Sequence, residues 1–330
     1  MKVGTLSTAC SKPIAMYRLL GRTNPKTGKG VYQTKLPPTG IPYQVIDRTC
    51  DKCAGCRIRK RMDQSTRLTH EAQFNEHSWF ITLTYDDDNL PENGSLVAAH
   101  QSAFMKALRK KLRKKMRFFS IGEYGEQTLR PHYHLILFGP DIPDRKYHHS
   151  APIKNRATRE IGKLLGPEEA RYYSSELLDN VWKKGTVQLT GVSAATMQYV
   201  SKYHVEKIDG EAAKTYYVRT LPNGKCVPVE QPQARMSRNP GIGRKWIETY
   251  WSDVYPDGTM VDSKGAEFAP PKYYDDWLEK NQPEVYETLQ TKRAEARTPE
   301  RELNKRRQAK VANRKTKMRI AEAMKPRPKI

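Results

Sequence analysis

Two histidines stand one residue apart in the stretch Arg-Pro-His-Tyr-His-Leu-Ile-Leu-Phe-Gly at residues 130–139. The stretch is apolar enough to form a buried strand, and alternate side chains of a strand share one face. His132 and His134 would then project together, and two converging imidazoles suggest a metal site. The alternatives are chance spacing, since the chain holds eight histidines, or two solvated rings at a strand end.

A carboxylate can join these imidazoles if the preceding segment forms a hairpin with them. Residues 118–125 have a strand pattern, and the turn-like residues 125–128 would reverse the chain. Glu123 would then lie beside both histidines. One carboxylate with two imidazoles suits a divalent ion such as Mg²⁺ or Mn²⁺. The alternative is that Glu123 is a solvated acid at a strand end.

Two tyrosines further along the chain offer a nucleophile. Ser193 is a suitable N-cap for a helix over about residues 193–207, and on that helix Tyr199, Lys202 and Tyr203 can share a face. A phenol beside a metal and an ammonium group is an activatable nucleophile. Amphipathic packing alone can also place two tyrosines at this spacing.

Together these segments resemble the HUH endonuclease superfamily, which contains rolling-circle replication initiators and relaxases. The resemblance covers about residues 78–207. Its motifs are the strand at residues 80–85, the segment from Gly-Glu-Tyr-Gly at 122–125 to His-Tyr-His at 132–134, and Tyr-Val-Ser-Lys-Tyr at 199–203. It implies a ferredoxin-like or RNA-recognition-like strand order with both histidines on a central strand.

More narrowly, the chain resembles the replication initiators of gokushovirus-type microviruses. The closer likeness includes Cys-Asp-Lys-Cys-Ala-Gly-Cys at 50–56 and Ser-Arg-Asn-Pro-Gly-Ile-Gly at 237–243. This resemblance implies a virus-encoded, non-structural protein in the cytoplasm of a bacterial host. Its partners would be single-stranded DNA, a replication origin, and the host DNA polymerase and helicase.

The resemblance also implies a chemistry. The residues matching the family's metal ligands are Glu123, His132 and His134, with Mg²⁺ or Mn²⁺ as the ion, and Tyr199 and Tyr203 match its nucleophilic tyrosines. A tyrosine attacks a phosphodiester, which forms a 5′-phosphotyrosine bond and frees a 3′-hydroxyl that can prime synthesis. Reversal of this reaction rejoins the displaced strand into a circle.

The second tyrosine departs from the family pattern. Enzymes of the superfamily with two tyrosines often show Tyr-x-x-Lys-Tyr-x-x-Lys, whereas here Glu206 stands three residues after Tyr203 and Lys207 follows it. The first unit, Tyr199 with Lys202, is intact. We therefore expect Tyr199 to be the first nucleophile, and Tyr203 to be either a second nucleophile or a positioning residue.

The cysteines indicate a second metal site. Cys50, Cys53 and Cys56 are each separated by two residues, Cys10 lies forty residues upstream, and Cys226 is remote. Three closely spaced thiols can converge on one ion, and Cys10 could complete a tetrahedral site for structural Zn²⁺. Free thiols and an iron–sulfur cluster remain alternatives. A disulfide framework fits poorly with an odd count and no secretion signal.

The composition favours a polyanionic partner. The net charge is +23 with a pI of about 9.7, and 37% of the residues are hydrophobic. No G-x-x-x-x-G-K-[ST] phosphate loop occurs, so we expect no nucleotide cofactor and no attached helicase. The N-terminus lacks a signal-peptide core and no run of 18 apolar residues occurs, so we expect a soluble, intracellular protein without membrane partners.

Two segments carry much of the positive charge. Residues 291–330 contain 15 Lys and Arg against 4 Glu, which predicts a disordered or loosely helical arm that follows phosphates or is merely solvated. Residues 98–117 predict a basic helix with an apolar stripe for the sheet. The basic residues of this helix that we expect to contact DNA are Lys106, Arg109, Lys110, Arg113 and Lys114.

The pattern as a whole predicts an α+β fold in which helices pack on an antiparallel sheet. We expect strands near 78–85, 118–124, 132–139 and 186–191, and helices near 98–117, 157–183 and 193–207. The predicted regions are a cysteine-rich N-terminal element at 1–75, the HUH endonuclease domain at 76–210, an accessory DNA-binding region at 211–290 and the basic tail at 291–330. A non-catalytic, zinc-containing DNA-binding protein, or an HUH enzyme of the plasmid, relaxase or transposase type, would be the alternatives.

Overall fold

The computed structural model describes residues 10–295 apart from 27, 126, 153–168, 207, 209, 210, 222, 256, 263 and 264, and also residues 310, 311 and 314. The chain divides into two compact units. One is Arg67–Gly243, and the other is Met1–Thr66 together with Arg244–Ile330. The predicted accessory region at 211–290 is thus divided between the units, and most of the predicted basic tail lies outside the described residues.

An antiparallel sheet of seven strands organises the unit Arg67–Gly243 within the described part of the chain. Numbered along the whole chain, its strands are, in spatial order, β12 (Ala234–Met236), β5 (Arg117–Tyr124), β6 (Pro131–Phe138), β4 (Ser78–Thr84), β9 (Val187–Gly191), β8 (Glu169–Ser174) and β7 (Lys146–Pro152). All neighbouring pairs are antiparallel. The predicted α+β class with an antiparallel sheet is confirmed, and the histidine strand β6 is in the interior of the sheet.

Helices cover both faces of this sheet. They are α1 (Ala54–Ala72), α2 (Ala98–Leu112), α3 (Glu176–Trp182) and α4 (Ala194–Glu206), and a short α5 (Glu211–Tyr216) follows. The first face packs against α2 and α3, and its buried residues include Ile81, Leu83, Leu135, Leu137, Phe104, Leu108, Leu178 and Trp182. The second face packs against α4 and the end of α1, and its buried residues include Phe80, Phe119, Ile121, Ile136, Phe138, Leu68, Met197 and Val200. Alternate residues of β4 and β6 thus enter two separate cores, which accounts for their nearly continuous apolar sequences.

Two predicted helices differ from the structure. The basic helix α2 ends at Leu112 instead of 117, because Arg113 adopts a left-handed conformation with φ of 49°, a common way to end a helix. The helix predicted at 157–183 is wrong over 169–174, which form the strand β8 paired with β7, so that only α3 is helical in the described part. Pairing with another strand overrode the local helical pattern there.

A buried histidine on α1 predicts a pH dependence for the stability of the unit Arg67–Gly243. The side chain of His70 is buried, and burial lowers its pKa to about 4, against about 6.5 in an unfolded chain. The folded state therefore favours the neutral ring, so stability is complete above pH 6.5 and falls as the pH drops toward 4. The full loss is about 3 kcal/mol.

Thermal unfolding measured from pH 7.5 to pH 4.5 tests this expectation. His70→Gln should show a flatter decline of the melting temperature than wild type, whatever its absolute stability. His148→Gln, which replaces an exposed histidine, is the matched control and should follow the wild-type slope. Equal slopes in wild type and His70→Gln would contradict the prediction.

The second unit contains a small sheet and three further helices. Its sheet has the order β2 (Gly30–Gln33), β1 (Ile14–Thr23), β3 (Tyr43–Arg48), and its helices are α6 (Arg244–Val254), α7 (Lys272–Asn281) and α8 (Pro283–Glu295). Short strand pairs complete the description: β10 (Val218–Thr220) with β11 (Cys226–Pro228) in the first unit, and β13 (Met260–Val261) with β14 (Glu267–Phe268) in the second.

Most aromatic residues of the region 244–290 are core residues of this second unit. Tyr255, Tyr274 and Trp277 are buried together with Ile247 and Leu278. The sequence left open whether these rings stack on unpaired bases or form a small core, and their burial favours the core. Among the described residues, no helix has the length and apolarity that crossing a membrane requires.

Candidate active site

Glu123, His132 and His134 converge on the second face of the sheet. Glu123 on β5 is paired directly with His132 on β6, and His134 follows on the same face. The Glu123 carboxylate oxygen Oε2 lies 3.3 Å from His132 Nε2 and 3.1 Å from His134 Nε2. In an octahedral site with bonds of about 2.1 Å, adjacent ligand atoms are about 3.0 Å apart. The spacing of these three atoms fits one divalent ion.

Each histidine is oriented by a second hydrogen bond. The Nδ1 atom of His132 lies 3.2 Å from the carbonyl oxygen of Arg130, and that of His134 lies 3.1 Å from the Thr82 hydroxyl. A carbonyl can only accept, so Nδ1 of His132 carries a proton, and in the neutral ring Nε2 is left as a lone-pair donor. Such partners fix the tautomer of metal-binding histidines. Nε2 of His132 and the carboxylate therefore form a cation site.

Burial and charge act in opposite directions on this cluster. Burial alone would raise the pKa of Glu123, but hydrogen bonds from His132 and His134 lower it to about 2. The pKa of His134 is lowered, chiefly by burial, and the charges of His132 and Lys202 act in the same direction. The cluster thus combines an ionised carboxylate with a ring held in its neutral, metal-binding form.

The helix α4 brings Tyr199 to the edge of this cluster. The ring of Tyr199 contacts the ring of His134 edge to face, with centroids 5.3 Å apart, and Phe80 stacks on His134 at 5.2 Å. The ammonium nitrogen of Lys202 lies 4.5 Å from the centroid of the Tyr199 ring. The predicted spacing of Tyr199 and Lys202 on a helix therefore places both beside the histidines.

The position of α4 follows from its local sequence. Ser193 precedes the helix and accepts a hydrogen bond from the backbone N–H of Thr196, as predicted for an N-cap. Met197 and Val200 are buried against the sheet, so Tyr199 between them lies at the margin of the core. Tyr203 follows Tyr199 by four residues on the same helix, and the description of the structure does not extend to its side chain.

Thr82 and Phe80 were not identified from the sequence. Both lie on β4, and Thr82 is paired directly with His134 across the strands. The alternation of side chains on β4 would have placed these two residues on one face, but the strand that adjoins β6 and its register depend on contacts that are distant in the sequence. The signal therefore existed for the face and not for the partner.

The predicted DNA-contacting helix α2 lies on the other side of the sheet. Its buried residues Phe104 and Leu108 pack with the first face, whereas Glu123 and both histidines belong to the second. Lys106, Lys110, Arg113 and Lys114 are exposed. Arg109 is half-buried, with its guanidinium 3.3 Å from the Met116 carbonyl and 5.4 Å from the centroid of the Phe118 ring.

The four predicted zinc-binding cysteines also lie together. The sulfur atoms of Cys10, Cys50, Cys53 and Cys56 are all within 4.8 Å of one another, in the unit that contains the small sheet β2–β1–β3. None of them forms a disulfide, and Cys226 is exposed on β11. Burial raises the pKa of Cys10. It would also raise that of Cys53, but hydrogen bonds, chiefly from backbone groups of Ser11 and Cys56, lower the pKa of Cys53 to about 6.

Comparison with known proteins gives a consistent set of relatives. A family model described as replication-associated protein ORF2 matches residues 78–208, which include the Glu123 cluster and the tyrosine helix. The replication-associated protein VP4 of Bdellovibrio phage phiMH2K is 27% identical over 244 residues, which cover 72% of this chain and 69% of that protein. The replication-associated protein ORF2 of Spiroplasma virus 4 is 27% identical over 250 residues, with the same coverage of 72% and 69%.

A third relative matches a shorter part of the chain. The replication-associated protein ORF4 of Chlamydia phage 1 is 30% identical over 165 residues, or 48% of this chain and 38% of that protein. No solved structure matches the chain. The resemblance to phage replication proteins that the motifs predicted is confirmed by these relatives.

Proposed function

We propose that this chain, which resembles the replication-associated proteins of phages, initiates DNA replication by nicking one strand through tyrosine transesterification. The observation that supports this most strongly is the contact between the Tyr199 ring and His134, whose Nε2 atom faces the Glu123 carboxylate. A nucleophile, a cation site and an ammonium group thus lie together on one face of the sheet. This is the arrangement that phosphodiester transesterification by an HUH endonuclease requires.

Glu123, His132 and His134 would hold a divalent ion, and oxygen-preferring Mg²⁺ or Mn²⁺ fits their mixed donor set. When bound, the ion supplies charge stabilisation to the non-bridging oxygens of the scissile phosphate. The Arg130 carbonyl and the Thr82 hydroxyl keep the Nε2 atoms of the two histidines turned toward the carboxylate. The histidines therefore need no reorganisation to serve as ligands, which favours rapid binding of the ion.

Tyr199 carries the covalent step in this proposal. Its phenolic oxygen bonds to phosphorus while the bond from phosphorus to the 3′-oxygen breaks. The phenol loses its proton, and the released 3′-oxygen gains one. The products are a 5′-phosphotyrosine and a 3′-hydroxyl, and the host polymerase would extend the latter in the bacterial cytoplasm.

Lys202 assists this step by its charge. Free tyrosine is almost entirely protonated at neutral pH. The Lys202 ammonium beside the Tyr199 ring stabilises negative charge that develops as the phenol reacts. Tyr203, one helical turn further along α4, would attack the next phosphodiester or position the first tyrosine. Because the intermediate keeps a phosphodiester-like bond, the released strand can be joined into a circle without ATP.

A covalent-adduct assay tests the proposal. The full chain is incubated with Mn²⁺ or Mg²⁺ and with labelled single-stranded fragments from the genome that encodes it, and the products are separated on denaturing gels. We expect a metal-dependent protein–DNA adduct and a shortened strand with a free 3′-hydroxyl. Tight binding without an adduct under every metal and fragment would leave a non-catalytic DNA-binding protein in its place.

The basic helix α2 has a separable role in this scheme. Because α2 lies on the face of the sheet away from the triad, its lysines are expected to hold flanking DNA and not the scissile phosphate. The double variant Lys106→Ala with Lys110→Ala should weaken binding of single-stranded DNA. The slope of log affinity against log salt concentration should fall by about 1.4, or about 0.7 for each lost phosphate contact.

The matched control keeps the charge at both positions. Lys106→Arg with Lys110→Arg should retain the wild-type salt slope, as measured by fluorescence anisotropy with a labelled oligonucleotide. At saturating DNA, the rate of adduct formation should equal that of wild type in both double variants. An unchanged slope in the alanine variant would show that these lysines are only solvated.

A further inference from the structure

We propose that Cys10, Cys50, Cys53 and Cys56 bind one structural Zn²⁺ ion, which joins the segment before β1 to the first turn of α1. Cys10 precedes β1 by four residues, and Cys53 and Cys56 lie at the start of α1. The site is distinct from the Glu123 cluster in ligand type and lies in a different compact unit. It does not depend on the proposed nicking activity.

The sulfur positions match a tetrahedral ion. The Sγ atom of Cys53 lies 3.5 Å from that of Cys56 and 4.0 Å from that of Cys10, and the Sγ atoms of Cys50 and Cys56 are 3.9 Å apart. Zinc–sulfur bonds of about 2.3 Å at tetrahedral angles separate the sulfurs by about 3.8 Å. A disulfide requires about 2.05 Å, so these thiols are spaced for coordination and not for a covalent bridge.

The backbone around the sulfurs is arranged for thiolates. The N–H group of Cys50 lies 3.3 Å from the Cys10 sulfur, and that of Cys53 lies 3.4 Å from the Cys50 sulfur. A thiolate accepts such hydrogen bonds, and they orient it in the same way as the outer partners of other metal ligands. Cys53 and Cys56 also lie at the N-terminal end of the 19-residue helix α1, where the helix dipole favours negative charge.

The surrounding sequence balances the charge of the site. Four thiolates around Zn²⁺ leave a net charge of −2. The residues from 52 to 61 contain five basic side chains and no acidic ones: Lys52, Arg57, Arg59, Lys60 and Arg61. This excess of positive charge lowers the electrostatic cost of gathering four thiolates at one point.

The donor set decides both the metal and its role. Soft thiolates select Zn²⁺ over Mg²⁺ or Mn²⁺, whereas the carboxylate of the Glu123 cluster suits the harder ions. Four protein ligands leave no open coordination position, which is typical of a structural site. We therefore expect a tightly held ion whose loss destabilises the unit that contains β1 and the start of α1.

Metal content and thiol reactivity test this inference on the full chain. Protein purified under reducing conditions and passed over a chelating resin should contain about one zinc ion per chain. Cys53→Ser and Cys56→Ser should lower the zinc content at least about tenfold. Cys226→Ser, which removes the exposed cysteine outside the cluster, is the matched control and should keep the wild-type content.

Two further measurements separate the possible outcomes. His132→Ala should keep its zinc, since that variant alters only the Glu123 cluster. In wild type, where no substitution can cause misfolding, Co²⁺ added in place of zinc should give the thiolate-to-cobalt absorption bands of a tetrahedral sulfur site. Absence of zinc with five equally reactive thiols, bound iron with sulfide, or zinc lost from His132→Ala instead of Cys53→Ser would each overturn the inference.

Discussion

Tyr199→Phe is expected to lower the rate of covalent attachment to DNA by at least about a thousandfold, because it removes the only oxygen with which that side chain can attack phosphorus. The ring contacts with His134 and Phe80 are made by the aromatic face and edge, and phenylalanine retains them. Folding and DNA affinity should therefore change little. Single-turnover formation of the adduct on denaturing gels, with binding measured in parallel, checks both expectations.

Tyr203→Phe is the matched control for this variant. It makes the same chemical change one helical turn away on α4. If Tyr203 is a second nucleophile, its variant should form the first adduct at close to the wild-type rate and fail to circularise the released strand. Loss of the first adduct in Tyr203→Phe with retention in Tyr199→Phe would reverse the assignment of the two tyrosines.

The sequence predicted the candidate site better than the architecture around it. Alternation on a strand placed His132 and His134 on one face, and a hairpin was enough to bring Glu123 to them, because both inferences depend on residues close in the chain. The helical spacing of Tyr199 and Lys202 is equally local. Each of these relations is fixed by backbone periodicity before any tertiary contact forms.

The relations that the sequence could not supply involve distant parts of the chain. Thr82 is 52 residues from His134, and only the adjacency of β4 and β6 brings its hydroxyl to the imidazole. The strand β8 was predicted as helix because its pairing with β7 and β9 outweighs its local pattern. The position of α2 on the face away from the triad likewise depends on the order of the strands. Periodicity constrains faces, whereas strand order determines which faces meet.

The two cysteine and histidine clusters illustrate the same limit. The spacing of Cys50, Cys53 and Cys56 indicated three ligands, but the sequence could only suggest Cys10 as the fourth by counting. In the structure, the backbone N–H of Cys50 contacts the Cys10 sulfur, which provides a physical reason for the assignment. The donor chemistry then separates the two clusters, with thiolates for a soft ion and a mixed carboxylate–imidazole set for a harder one.

Removing one ligand of the Glu123 cluster should raise the metal requirement of the reaction, and the effect should be graded. His132→Ala deletes the Nε2 atom that lies 3.3 Å from the Glu123 carboxylate. The Mn²⁺ concentration for half-maximal adduct formation is expected to rise by about a hundredfold or more. Thr82→Val keeps all three ligands and removes only the hydroxyl that orients His134, so a rise of about tenfold is expected.

High Mn²⁺ concentration distinguishes these variants from loss of the nucleophile. Mass action should restore part of the activity in His132→Ala and nearly all of it in Thr82→Val, because Tyr199 is still present in both. Tyr199→Phe lacks the attacking oxygen, so no concentration of Mn²⁺ should restore its adduct. Equal metal requirements in wild type and His132→Ala would exclude this cluster as the site of the catalytic ion, even if the adduct to Tyr199 were observed. The metal dependence and the nucleophile are thus tested by separate variants, and either can fail without the other.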